Sequence, residues 1–241
     1  MKVLSQENNV ISLELDEAEV VYFRGALLRG RSFGVPWWPP YPLGSPLARL
    51  IHGCYVLNRA ARRDDQPVLQ LNGPSGLGRF QLITLTAEDR YFVHPRHLAA
   101  FSFQDGGGLH TQLGRLLSPS CWGIHHPLPV VVHGPGAVVV YAENLYVAAV
   151  TRASQAEYIP DQIVAFDARE PFLVRALHPD HSPLSQVINA LIDDNRICFS
   201  VGATLHVSPI NHPLRHRWRL VAHVLIHLAL IPLIIVVLKA S

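Results

Sequence analysis

The chain has 241 residues, of which 49% are hydrophobic and 16% charged, with a formal net charge of +2. That length suits one large domain or two small ones. The basic residues are scattered instead of gathered on one element, which argues against a nucleic-acid surface. Cys54, Cys121 and Cys198 are odd in number and widely spaced, so they read as reduced, mostly buried thiols and not as a disulfide framework.

Residues 1–64 form the first region. MKVLSQENNVISLELDEAEV carries one lysine, but polar Gln6, Glu7, Asn8 and Asn9 stand where an export signal needs an apolar run. The expectation is a protein that is not exported as a whole. RSFGVPWWPPYPLGSP, residues 31–46, is of a different kind. Its prolines restrict it to extended or turn conformations, and Trp37, Trp38 and Tyr41 supply large amphipathic contact area. Two roles stay open for this arm: folding over its own domain, or meeting a partner or a membrane interface.

Residues 65–210 read as a duplicated β domain. LNGPSGLGRFQLITLTAEDRYFVHPRHLAAF (71–101) resembles VHGPGAVVVYAENLYVAAVTRASQAEYIPDQIVAF (132–166). Each opens on Gly-Pro (Gly73-Pro74, Gly134-Pro135) and closes on Pro-x5-Phe (Pro95 to Phe101, Pro160 to Phe166), with Leu98 matching Ile163. Two copies of one supersecondary unit would stack apolar faces. RFQLITL alternates Phe80, Leu82 and Leu85 with polar partners, while LPVVVHG and GAVVVYA are β-branched runs bounded by Gly and Pro. The 19 prolines and 16 glycines punctuate such runs. Many short strands at this spacing predict a mainly β, antiparallel sandwich or barrel. One amphipathic helix is expected after Ser182 and Pro183, with Leu184, Val187, Ile188, Leu191 and Ile192 on one face and Asp193, Asp194 and Asn195 at its end. CFSVGATLHV then returns to strand character.

Residues 211–219 are a basic juxtamembrane linker, and 220–238 a predicted transmembrane helix. From Leu220 to Leu238 there is no formal charge. At ~1.5 Å per residue that stretch spans roughly 28 Å, near the ~30 Å of a hydrocarbon core. From Leu228 to Leu238 no polar face appears, and Pro232 is tolerated in a membrane span. Arg215, Arg217 and Arg219 precede it with Trp218 among them as an interfacial anchor, and only Lys239 follows. The positive flank predicts a single-pass, tail-anchored protein of the cell's inner (cytoplasmic) membrane, with the domain on the cytoplasmic side. His223 and His227, four apart on one helix face, allow three readings: placement at headgroup level, a hydrogen bond to another membrane helix, or axial ligation of a haem or chlorophyll-like pigment.

The glycine-led strand sets and the endings YFVHPRHLAAF and AEYIPDQIVAF resemble the altered-inheritance-of-mitochondria 24 family, across roughly residues 65–205. That resemblance implies a two-half β-sandwich related to the tryptophan RNA-binding attenuator (TRAP-like) fold, without established catalytic residues, in bacteria and in mitochondria, where the family is linked to inner-membrane organisation. The aromatic arm and the C-terminal span depart from a soluble relative and suggest specialisation for a membrane partner.

Fourteen histidines raise the question of a metal. His94 and His97, like His178 and His181, have HxxH spacing, and His125-His126 are adjacent, but a proline follows the first histidine of each HxxH. No HExxH, CxxC or cupin-like pattern accompanies them. GPSGLG lacks the Lys-Ser/Thr of a phosphate loop, DGGGLH lacks a strand-to-helix context, and there is no GxSxG elbow. Adjacent Asp193 and Asp194 point apart. No catalytic residue, metal or cofactor is therefore assigned. The expectation is a non-enzymatic accessory or assembly subunit of an integral-membrane complex, respiratory or photosynthetic, that touches lipid and not nucleic acid. The alternatives are a histidine-ligated metalloprotein or metal-dependent enzyme, and a self-assembling membrane-organising scaffold, a homo-oligomer.

Overall fold

The computed structural model describes residues 1–7, 9–17, 19–27, 57–61, 68–74, 76–94, 97–104, 107–111, 130–151, 157–159, 162–176 and 195–209. In chain order the strands are β1 (Lys2–Glu7), β2 (Val10–Glu14), β3 (Val20–Arg24), β4 (Leu57–Ala61), β5 (Val68–Asn72), β6 (Gly78–Leu85), β7 (Arg90–Val93), β8 (Leu98–Phe103) and β9 (Gly108–Thr111). After them come β10 (Val130–His133), β11 (Gly136–Glu143), β12 (Tyr146–Ala149), β13 (Glu157–Tyr158), β14 (Ile163–Asp167), β15 (Phe172–Ala176), β16 (Asn195–Phe199) and β17 (Thr204–Val207). A 3-10 turn at Gly25–Leu27 ends β3. All of these belong to one of the chain's two units, Met1–Pro209; the other, Ile210–Ser241, lies outside the described residues.

The mainly β, antiparallel class expected from the sequence is what forms. Four sheets have the orders β1-β2-β5, β4-β3-β8-β11-β6, β12-β17-β14-β7-β10-β9 and β13-β16-β15, and every pairing is antiparallel. Three apolar clusters lie between successive sheets. Ile11, Leu13 and Leu71 of the first sheet meet Phe23, Phe80 and Val139 of the second. Leu85, Phe101, Val138 and Val140 of the second meet Val93, Val132 and Ala165 of the third. Phe92, Phe166 and Leu205 of the third meet Ile197 and Phe199 of the fourth. The described strands of Met1–Pro209 thus form a central sandwich of two large sheets with a small sheet laid on each outer face.

This layering explains why the sequence runs are so apolar. A strand with one wet face alternates, whereas one buried on both faces reads as continuous apolar sequence. In β11, Val139 and Tyr141 join the first cluster, while Val138, Val140 and Ala142 join the second. In β14, Phe166 faces the third cluster and Ala165 the second. Each fully buried Val, Leu, Ile or Phe is worth about 1.5–3 kcal/mol over leaving it exposed.

The five strands of one large sheet correspond to five of the six in the other, β9 being the extra one. β3, flanked by β4 and β8, matches β17, flanked by β12 and β14; outward from there, β11 and β6 match β7 and β10. The outer sheets β1-β2-β5 and β15-β16-β13 match as well. The chain takes these positions in a different order in each half, ending one on β11 and the other on β17. Of the two sequence copies, the closing strands β8 and β14 occupy matching places. Phe101 stacks on Tyr22 and Phe103 at ring-centroid distances of 5.4 and 5.0 Å, and Phe166 lies 4.8 Å from Phe92 and 4.9 Å from Phe199. The Gly-Pro-led strands β6 and β11 instead pair with each other, Gly78 against Glu143 and Leu85 against Gly136.

β6 to β7 and β10 to β11 both cross from one large sheet to the other, side by side. Leu85 pairs with Gly136 on one side of the crossing and Phe92 with Val131 on the other. Thr86–Asp89 therefore stands opposite only Gly134-Pro135, whose peptide bond is cis. Unequal lengths of this kind bend a ladder and let strands switch sheets. This bend is the corner of the sandwich.

Among the described residues no helix is long and apolar enough to cross a membrane. The predicted span 220–238 and the helix expected at Ser182–Asp194 lie outside the described residues; Asn195, expected to end that helix, opens β16.

Candidate functional site at the far end of the sandwich

The residues singled out in the sequence for partner or membrane contact (Trp37, Trp38, Tyr41, Trp218, Arg215, Arg217, Arg219, His223 and His227) lie outside the described residues. So do Cys54, Cys121, His125, His126, His178 and His181. What the structure does give is where the segments carrying them leave the domain.

β8 and β11 run antiparallel with Phe103 beside Gly136, so β8 ends at the corner and β11 leads away from it. β3 pairs antiparallel with β8, Phe23 beside Ala100, and therefore also runs away from the corner. Ala100 in turn lies beside Val139, which puts the turn Gly25–Leu27 level with the last residues of β11. From that turn residues 28–56, with the aromatic arm, depart, and they return at Leu57, whose register partner is Arg24. In the other large sheet β17 also runs away from the corner, since β14 ends at Asp167 beside Tyr91 and β17 opposes β14. Just beyond β17, Ser208 donates its hydroxyl proton to the Glu143 carbonyl at 2.6 Å and its backbone N–H to the Gln162 carbonyl at 2.8 Å. One residue later the chain passes into 210–241. The aromatic arm and the tail thus leave from one end of the five-stranded sheet, the end away from the corner.

The same end holds His94 and His97. His94 N–H donates to Val164 O at 2.8 Å, His97 N–H to His94 O at 2.9 Å, and Tyr141 N–H to His97 O at 2.8 Å. His97 Nδ1 lies 3.0 Å from Tyr141 O. A carbonyl can only accept, so Nδ1 carries the proton and Nε2 is left as the basic nitrogen. The two imidazole centroids are 5.2 Å apart. The Tyr141 ring fills space left by Gly73 and Gly78, where a Cβ would collide with it; this is a packing reason for the glycine of the first Gly-Pro pair. Among the described residues no three His, Cys, Asp or Glu side chains converge as a metal site would need.

The turn between β11 and β12 completes this end. Asn144 adopts a positive φ of 49°, which asparagine tolerates, and donates its N–H to Leu77 O at 3.0 Å. Around it Leu77 is 65% exposed, Tyr146 49% and Val147 51%. The sequence reading missed these three, because nothing in GPSGLG or ENLYVAA separates an exposed apolar residue from a buried one.

The corner end is charged instead. Asp89 accepts from the Thr86 N–H at 2.7 Å and hydroxyl at 2.8 Å, and Arg169 bridges Asp89 and Asp167. The Thr86 bonds, and after them Arg169, hold the Asp89 carboxyl below its usual range. Partial burial works against ionised Asp167, but its bonds to Arg169 outweigh that and lower it too. The cluster ties the β6–β7 turn to the β14–β15 turn. Elsewhere, Cys198 is half-buried on β16 with its Sγ 3.8 Å from Glu157 Oε1.

No protein-family profile and no curated protein matches the sequence. A crystal structure of protein SPYM3_0169 from Streptococcus pyogenes is similar, with a TM-score of 0.53 and 8% identity, over 87% of this chain and 93% of that one. At that identity the likeness concerns the fold alone. Fold and comparison together define a mainly antiparallel β protein whose two large sheets form a sandwich.

Proposed function

We propose that this chain is a membrane-anchored accessory subunit that stabilises a larger integral-membrane assembly of bioenergetic type. Residues 220–238 span the bilayer once, Arg215, Arg217 and Arg219 keep the β domain on the cytoplasmic side, and the arm around Trp37, Trp38 and Tyr41 engages the partner. The carrying observation is that the arm and the tail leave the domain from one end, so a partner held beside the anchor is within reach of both. A non-enzymatic role accords with a domain whose interior is filled by three apolar clusters. The correspondence of the two large sheets supports the likeness to the two-half TRAP-like sandwich of the altered-inheritance-of-mitochondria 24 family.

Purification from native membranes in mild detergent, followed by mass spectrometry, tests this. A stoichiometric integral-membrane partner is expected, lost when Trp37 and Trp38 become alanine. A lone monomer, or a near-stoichiometric transition metal that is lost in His94→Ala, would overturn it; a large homo-oligomer without other proteins would favour a self-assembling scaffold.

A further inference from the structure

We propose that the end of the domain bearing Leu77, Tyr146 and Val147 rests directly on the lipid bilayer, an inference that builds on the anchored reading above. Scattered exposed apolar residues are ordinary on a protein surface. These three differ in their placement. Of the six large apolar side chains exposed among the described residues, they are the ones around the Asn144 turn, beside which Ser208 fastens the chain just before it leaves for the tail. Tyr146 opposes Val207 across the ladder, so it stands at the last residue of β17, and Val147 next to it opposes His206 and turns to the other face, so this end is apolar on both faces of β12.

Residues 210–219 separate Pro209 from the predicted span. Ten residues reach at most about 33–36 Å when fully extended, so the domain never strays far from the bilayer. Tethering of this kind raises the effective concentration of lipid at the domain surface, and a patch too small to bind vesicles by itself then suffices. Tyrosine suits the headgroup level, with an apolar ring and a polar tip. Glu143 shares this end, and at that depth its carboxylate stays hydrated. The opposite end carries Asp89, Asp167 and Arg169, which water serves better than lipid. A second copy fits the patch less well, because three side chains fall far short of the roughly 1,200 Å² that a specific protein interface buries.

The experiment uses the full chain reconstituted into phosphatidylcholine vesicles with a minority of phosphatidylglycerol. A fluorescent amino acid replaces Leu77, Tyr146 or, at the corner, Glu88, and some lipids carry a nitroxide near the headgroup. Quenching at 77 and 146 should exceed that at 88 severalfold. Equal quenching at all three positions, in protein that floats with the vesicles, overturns the lipid-facing end and leaves the anchor standing. Protein that fails to float overturns both. A blue shift at 77 or 146 that grows with protein concentration in lipid-free detergent assigns the patch to a second copy, and that too overturns the proposal.

Discussion

His206 sits on β17 between Leu205 and Val207, which belong to the third apolar cluster, so by strand alternation its ring turns to the other face, toward the interior of the central sandwich. Its cross-strand neighbours are Val147 and Ala165, and its Nδ1 has no hydrogen-bond partner. Burial penalises the imidazolium and lowers the pKa from the ordinary 6.5. The unfolded chain therefore takes up this proton first as pH falls. The domain should keep its full stability above about pH 6.5 and lose some below it. In urea titrations at pH 7.5 and pH 5.5, His206→Leu should narrow the gap between the two midpoints relative to the parent. An unchanged gap would mean that other groups carry the acid sensitivity. Fourteen histidines are plain in the sequence, but which of them are shut away, as His206 and His94 are, depends on strand register, and HVSP read alone gives no hint of it.

At the level of elements, strand existence was far easier to read than strand partnership. RFQLITL, LPVVVHG, GAVVVYA and CFSVGATLHV all became strands, because β-branched runs between Gly and Pro favour little else. The closing strands β8 and β14 take matching places in their sheets, but Phe101 faces the second apolar cluster and Phe166 the third, so the likeness holds for the strands and not for the faces their rings occupy. It misled at the opening ones, since similar sequences can pair with each other as well as stack. The corner is where the chain commits to the observed pairing, and Gly134 is its tightest point. A Cβ there would drive into the Thr86 carbonyl oxygen, with Thr86 C at 2.8 Å and Leu85 Cβ at 2.9 Å. These are backbone and rigid-stem atoms of the opposing arm, so they yield only if the bend opens. Gly134→Ala should cost about 1–3 kcal/mol, the scale of overpacking, and lower the melting temperature by several degrees. Gly76→Ala, with nothing within 4 Å of the added carbon, should stay within about 0.5 kcal/mol of the parent. Equal effects at the two sites would show that the corner tolerates opening.

At the scale of the whole molecule, three apolar clusters among the described residues join four sheets into one packed body. Composition could not reveal that layering, because the same apolar residue types recur in the strands, in residues 31–46 and in 220–238. Only the assembled sheets show that β3 and β4 form a paired ladder, Val20 against Ala61 through Arg24 against Leu57, so that residues 28–56 join two strands already held in register. Leu27 is the last buried residue before the departure and must be kept. Replacing 28–56 with a short Gly/Ser linker should therefore leave the domain folded. Closing a loop several-fold shorter costs less entropy, by about 1–2 kcal/mol on a (3/2)RT ln n scaling, so the melting temperature should hold or rise slightly. The same variant should lose its membrane partner while still floating with vesicles, since the tail is intact. A melting temperature several degrees lower would mean that the arm is part of the core, and partner retention would move the contact to the sheets themselves.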